Sequence, residues 1–316
     1  MQQEEKGLRS AASIALLALV FASAPVAAAP IEGDWTIDTR ENGDHIELGF
    51  KRSWNRSGSH GAWSSTSDFE RSQVRGLPAG KNPSGAVSLS LVRESGTIRM
   101  EGRMDDGRGG GRFTFEADQA FVADLKRAGF REVDDEQMLR VCVHDLDREW
   151  IRDTKSLGLR DPTLDGLLRL RSHDVTADFV RGLTAAGYSN LSVDEVVRLQ
   201  SHGVTADYVR GLGKTPKQKP SVEEIVRFKS HGLEPSYVSA LSRYFEPEEM
   251  VRLYTHGVSA DYVREFRALG YQSASAEDFV RLQTHGVSPE FARRAQELHG
   301  KVTTEELIKL KMNGVE

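Results

Sequence analysis

A fifteen-residue phrase that returns again and again constrains the fold of this chain more than any other feature. RLRSHDVTADFVRGL begins at Arg169, RLQSHGVTADYVRGL at Arg198, RFKSHGLEPSYVSAL at Arg227, RLYTHGVSADYVREF at Arg252 and RLQTHGVSPEFARRA at Arg281. Aligned on the histidine, the series is His144, His173, His202, His231, His256 and His285, with Asn313 in the same place at the end. The steps are 29, 29, 29, 25, 29 and 28 residues. Self-similarity at such a period indicates stacked supersecondary units.

The wording of one unit predicts its structure. Ser192 can cap a helix and Glu195, three residues on, can reach back; Asp134 and Gln137, Ser221 and Glu224, Ser275 and Asp278, and Thr303 and Glu306 repeat that box. The helix stops at His202-Gly203-Val204, where Gly203 can turn left-handed and Val204 can fold onto the last turn. Asp145 and Asp174 replace that glycine in two copies; aspartate is among the few residues that tolerate the conformation. Thr205 caps a second helix, which Pro235 and Pro289 open in two other copies. Second helices end at a glycine followed by an aromatic in Gly129-Phe130, Gly187-Tyr188 and Gly270-Tyr271. Helices of about ten residues are marginal alone, so neighbours must cover each other's apolar faces. About seven two-helix units are expected over residues 116–316. The 25-residue step, where SRYFEPEEM replaces the usual linker, should alter the stack locally.

Before the repeats the apolar period is two. Trp35 and Ile37, then Ile46, Leu48 and Phe50, then Val87, Leu89 and Leu91, then Ile98 and Met100, then Phe113 and Phe115 alternate with polar residues. That pattern predicts an antiparallel sheet of about five strands over residues 30–115, wet on one face. Asn42-Gly43 signals a hairpin, Glu94-Ser95-Gly96 a second turn, and the glycine-rich run 105–111 a third. SDFERSQVRGLP reads as one short helix, with Ser67 and Glu70 as its capping box and Gly76 as its end. The fold class is therefore α+β, mostly α: an N-terminal antiparallel sheet followed by an α-helical solenoid.

Residues 1–29 have the order of a secretory signal: Lys6 and Arg9, an apolar run, then small residues before Pro30. Such a stretch can alternatively be retained as an anchor, and membrane contact is expected only then. Export permits disulfides, but Cys142 is alone and flanked by apolar residues, which marks a buried filler rather than a reactive thiol. Charge is uneven. Residues 30–115 balance, and residues 116–316 carry the whole excess of −5. A mildly acidic chain excludes a nucleic-acid footprint; its one basic cluster, KTPKQKP over residues 214–220, reads as a loop.

The candidate interaction residues form a ladder. Arg169 and His173, Arg198 and His202, Arg227 and His231, Arg252 and His256, and Arg281 and His285 lie four apart, hence on one helical face. They can grip acidic partners, or the histidines can satisfy helix ends while the arginines pair with acids of the next unit. The repeated aromatics Trp150, Phe179, Tyr208, Tyr237, Tyr262 and Phe291 read as core knobs. Trp54, His60 and Trp63 could line a small pocket. HExxH, GxSxG, P-loop and paired-cysteine motifs are absent, so no catalytic residue, metal or cofactor is expected.

LSVDEVVRLQSHGVTADYVRGL, preceded by GDWTIDTR and by MEGRMDDGRGGGRFTFEAD, resembles the extracytoplasmic C-terminal parts of bacterial zinc-peptidase antirepressors of the β-lactam-sensor family. The resemblance runs from about Gly33 onward and implies an envelope location with a sensing or docking role. The family's membrane helices and HExxH motif are missing, so its peptidase activity does not carry over. The expectation is an exported, non-catalytic scaffold that binds protein or peptide of the cell envelope on its repeats. The alternative is an envelope sensor whose β domain holds a small molecule or cell-wall fragment; a hydrolase of unknown type stands third.

Overall fold

Strands come first because alternation makes one face of each segment apolar. In a computed structural model of the chain, which describes residues 31–40, 44–56, 59–80, 82–213 and 219–314, seven strands form one antiparallel sheet. They are β1 (Ile31–Asp38), β2 (His45–Arg56), β3 (Ser59–Glu70), β4 (Val74–Arg75), β5 (Gly85–Arg93), β6 (Gly96–Asp105) and β7 (Arg108–Ala117). The order across the sheet is β3-β2-β1-β7-β6-β5-β4, so the first and last strands meet in the middle. Trp35, Leu48, Phe50, Leu89, Ile98, Met100 and Phe113 are buried on one face. The expected leader, the Asn42-Gly43 turn and residues 214–218 of the basic cluster lie outside the described residues.

Two sequence expectations are corrected here. SDFERSQVRGLP is no α-helix: its first four residues belong to β3, which pairs with β2 along its whole length. Glu70, not Ser67, then caps a single 3-10 turn, Arg71–Gln73, and its backbone N–H donates to Gln73 Oε1 at 3.1 Å. The alternation in β3 is real, but serines share the covered face with Trp63 and Phe69, so hydropathy hides it. The sheet therefore has seven strands rather than five. The glycine-rich run is mostly strand as well. Only Asp106 and Gly107 turn, both at positive φ (46° and 78°), a two-residue hairpin of the Asp-Gly kind. Gly111 faces Trp35 across β1 and Gly102 across β6. A Cβ on Gly102 would stand 2.8 Å from the Trp35 ring, so glycine makes room for that indole.

Fourteen helices in series follow among the described residues, alternating between two layers. The first-of-pair helices are α2 (Asp135–Val143), α4 (Leu164–Ser172), α6 (Val193–Ser201), α8 (Val222–Ser230), α10 (Pro247–Thr255), α12 (Ala276–Thr284) and α14 (Thr304–Met312). The other layer holds α1 (Gln119–Arg127), α3 (Arg148–Ser156), α5 (Ala177–Ala185), α7 (Ala206–Leu212), α9 (Pro235–Leu241), α11 (Ala260–Ala268) and α13 (Pro289–His299). Each helix of the first layer packs on the next of its own layer, from α2 through α14; the second layer does the same from α5 through α13. No helix among the described residues is long and apolar enough to cross a membrane.

Local chemistry sets these boundaries. All five capping boxes expected in the repeats form, and Glu246 with Glu249 makes one more ahead of α10. At the end of α6, Gly203 N–H donates to Gln200 O at 2.9 Å and Val204 N–H to Leu199 O at 3.0 Å, with φ of Gly203 at 65°. That pair of hydrogen bonds is the Schellman arrangement, and it satisfies carbonyls that a helix end leaves open. Asp145 and Asp174 hold the same left-handed geometry at φ 54° and 52°.

Sheet and helices share one hydrophobic core within Ile31–Glu316. Helix α2 lies on β1, β6 and β7. Cys142 is fully buried there, its thiol 3.8 Å from Gly96 O, and burial pushes it up to about 11. Arg93 pairs with Asp145, and Arg148 reaches Glu94 at 3.1 Å and Asp124 at 2.6 Å.

Candidate functional site

The arginines of the ladder are engaged by acids of the next repeat. Arg140 pairs with Asp165 at 3.0 Å, Arg169 with Asp194, Arg198 with Glu223 at 2.5 Å, Arg227 with Glu248, Arg252 with Glu277, and Arg281 with Glu305 at 2.7 Å. In every case the acid is the second residue of the next helix in the layer. A carboxylate there also faces the positive helix end, so each rung answers two fields at once. The sheet supplies a rung of its own, because Arg52 on β2 pairs with Glu136, the second residue of α2. Most partners are about half exposed, which limits each rung to at most about 1 kcal/mol.

The histidines are placed otherwise. Each is the C-cap of its first-layer helix, and His173, His202, His231, His256 and His285 are all exposed. His173 Nδ1 lies 3.3 Å from Ser201 Oγ, and His202 Nδ1 lies 3.0 Å from Ser230 Oγ, so imidazole meets the hydroxyl that precedes the next histidine. His173 and His202 thus contact a hydroxyl of the neighbouring unit rather than the free carbonyls of their own helix end. His144, the first of the series, is half-buried; desolvation, with Arg140, Arg171 and Arg93 nearby, holds its pKa below the usual histidine range. The ladder thus separates into a row of half-exposed arginines engaged in ion pairs between repeats and an exposed row of imidazoles along the elbows.

The second-layer aromatics close the elbows from inside. Tyr208 donates to Leu233 O at 2.6 Å, Tyr237 to Val258 O at 2.9 Å and Tyr262 to Val287 O at 2.6 Å. Each acceptor is the residue after the next unit's left-handed glycine. Burial raises the phenols of all three. Cations lie over the remaining faces: Arg171 over Trp150 at 5.5 Å, Lys229 over Tyr208 at 4.9 Å and Lys311 over Phe291 at 5.0 Å. The hydroxyl bonds carry information that aromatic spacing alone could not.

Cavities sit where the second layer opens. Gly182 touches Ala206, and Gly211 lies against Pro235, letting α5, α7 and α9 approach closely. At the matching register α1 and α3 carry Asp124 and Asp153, whose carboxylates need room and solvent. A 390 Å³ cavity separates α1 from α3, and one of 490 Å³ separates α3 from α5. Another, of 770 Å³, lies at the 25-residue step between α8, α9 and α10. In the sheet, Trp54 lies over Gly61, its cross-strand partner, with Arg52 5.7 Å from its ring, so this indole covers backbone. The side chain of His60 lies outside the described residues. Among the described residues no group of three or more histidine, cysteine, aspartate or glutamate side chains is gathered to hold a metal.

Comparison with known protein families finds no match, and a search of curated proteins finds none either.

Proposed function

We propose that the protein is an exported, non-catalytic scaffold that binds protein or peptide partners of the cell envelope along the elbow edge of its repeats. The observation that carries this reading is the exposed row of His173, His202, His231, His256 and His285, one per unit at a fixed place. Stacked arrays offer extended surfaces for recognition, and a row of groups at constant spacing suits an extended partner. An imidazole offers two ring nitrogens for hydrogen bonding, so the edge can read acidic or hydroxylated side chains. The leader-like N-terminus and the resemblance to accessory regions of envelope sensors support the location.

The test is capture of cross-linked partners from an envelope fraction. Replacing His202, His231 and His256 together by alanine should abolish the captured set, whereas Arg198→Gln, which alters a rung already engaged by Glu223, should leave it. Equal capture by wild type and the triple variant would overturn the reading.

A further inference from the structure

The short step holds an unusual hydroxyl. Ser242, the C-cap of α9, is 5% exposed, and its Oγ has no hydrogen-bond partner among the described residues. Buried polar atoms left in that state are rare in native folds. Ser242 lines the 770 Å³ cavity, with Phe228, Val238, Phe245 and Met250 as apolar walls and Glu224 at its edge. Glu224 uses its Oε2 to accept from Ser221 N–H. Lys219, the cation of the lining, is turned onto the Tyr188 ring at 3.4 Å and donates to Gly187 O.

The next unit shows what such a space accommodates. In the repeat register, Leu241-Ser242 of α9 matches Phe266-Arg267 of α11. Arg267 is 7% exposed and donates to Tyr271 O at 3.1 Å and Ala274 O at 2.9 Å. Its guanidinium lies 5.6 Å from the Phe245 ring and 5.4 Å from Phe279. Phe245 and Ala274 each precede the N-cap of a first-layer helix, α10 and α12. So the chain's own guanidinium fills the space between two successive helix starts, held by carbonyls and ring faces. One unit earlier that space, between Pro220 and Phe245, is open, and serine stands where arginine would reach in.

We infer that the cavity at Ser242 receives an arginine side chain from a bound peptide. The guanidinium would donate to Ser242 Oγ, lie against the Phe228 and Phe245 rings, and face the Glu224 carboxylate. This deepens the scaffold reading and rests on it: the elbow edge would align a partner and the cavity would select for arginine.

Titration calorimetry of the full chain with acetyl-Gly-Arg-Gly-amide, and with its neutral citrulline counterpart, tests the inference. The arginine peptide should bind at least about tenfold tighter, because only a charged donor gains from the carboxylate. Ser242→Arg, which supplies the group internally, should abolish binding and raise the melting temperature. Glu224→Gln keeps the capping box and should weaken binding about threefold, a readout independent of how the first variant folds. Equal affinity for the two peptides, no binding of either, or undiminished binding by Ser242→Arg would each overturn the inference. Histidine-dependent capture without peptide binding would remove the cavity assignment and leave the scaffold reading; peptide binding without that capture would do the reverse.

Discussion

Gly203 sits at φ 65° with no atom within 4 Å of where a Cβ would be, so only the backbone objects to a side chain there. Gly203→Ala should therefore cost about 1 kcal/mol in chemical denaturation, and Gly203→Asn distinctly less. Cys142 makes a second residue-scale prediction. Buried and shifted up to about 11, it should be inert to a thiol reagent at pH 8 until the protein unfolds. His144 supplies a pH dependence. Its folded pKa is lowered by desolvation first, so the unfolded chain binds the extra proton below about pH 6.5. Stability should accordingly decline as pH falls through that value, and His144→Gln should flatten the decline. A curve unchanged by that substitution would contradict the assignment.

Among the elements, legibility in sequence follows the range of the interaction that decides each one. Caps and elbows are decided within four residues, so Ser192 with Glu195 and Gly203 with Val204 announce themselves. Strand β3 is decided by pairing with β2, and its serines give hydropathy nothing to detect, so a misleading Ser67–Glu70 box prevailed. Gly102 leaves room for the Trp35 ring, far earlier in the chain, and Gly111 for the backbone of Glu101 on the paired strand, and no local pattern carries either fact. Within the candidate site, the spacing of Arg198 and His202 placed both on one face but left open which would meet a partner. The answer depends on Glu223, in the next unit, which engages the arginine and leaves the histidine exposed. A double-mutant cycle on Arg198 and Glu223 should give a coupling below about 1 kcal/mol that fades with salt. Tyr208→Phe should cost more, about 1–2 kcal/mol, since it strips the hydroxyl from the buried bond to Leu233 O.

At the scale of the whole molecule, the stack is a chain of nearest-neighbour contacts in two layers, begun by a sheet whose Arg52 imitates the rung of a preceding repeat. Such an array tolerates loss of a whole period but not of half a period, which would bring helices of the wrong layer together. Residues 192–220 make up one 29-residue period, and their removal joins Leu191 to the capping Ser221 and brings Arg169 to the register of Glu223. The most direct measurement is circular dichroism through thermal unfolding of that deletion. The expected result is unchanged helicity per residue with a melting temperature lower by about 2–6 °C. Loss of most helical signal would contradict the stacked-unit account.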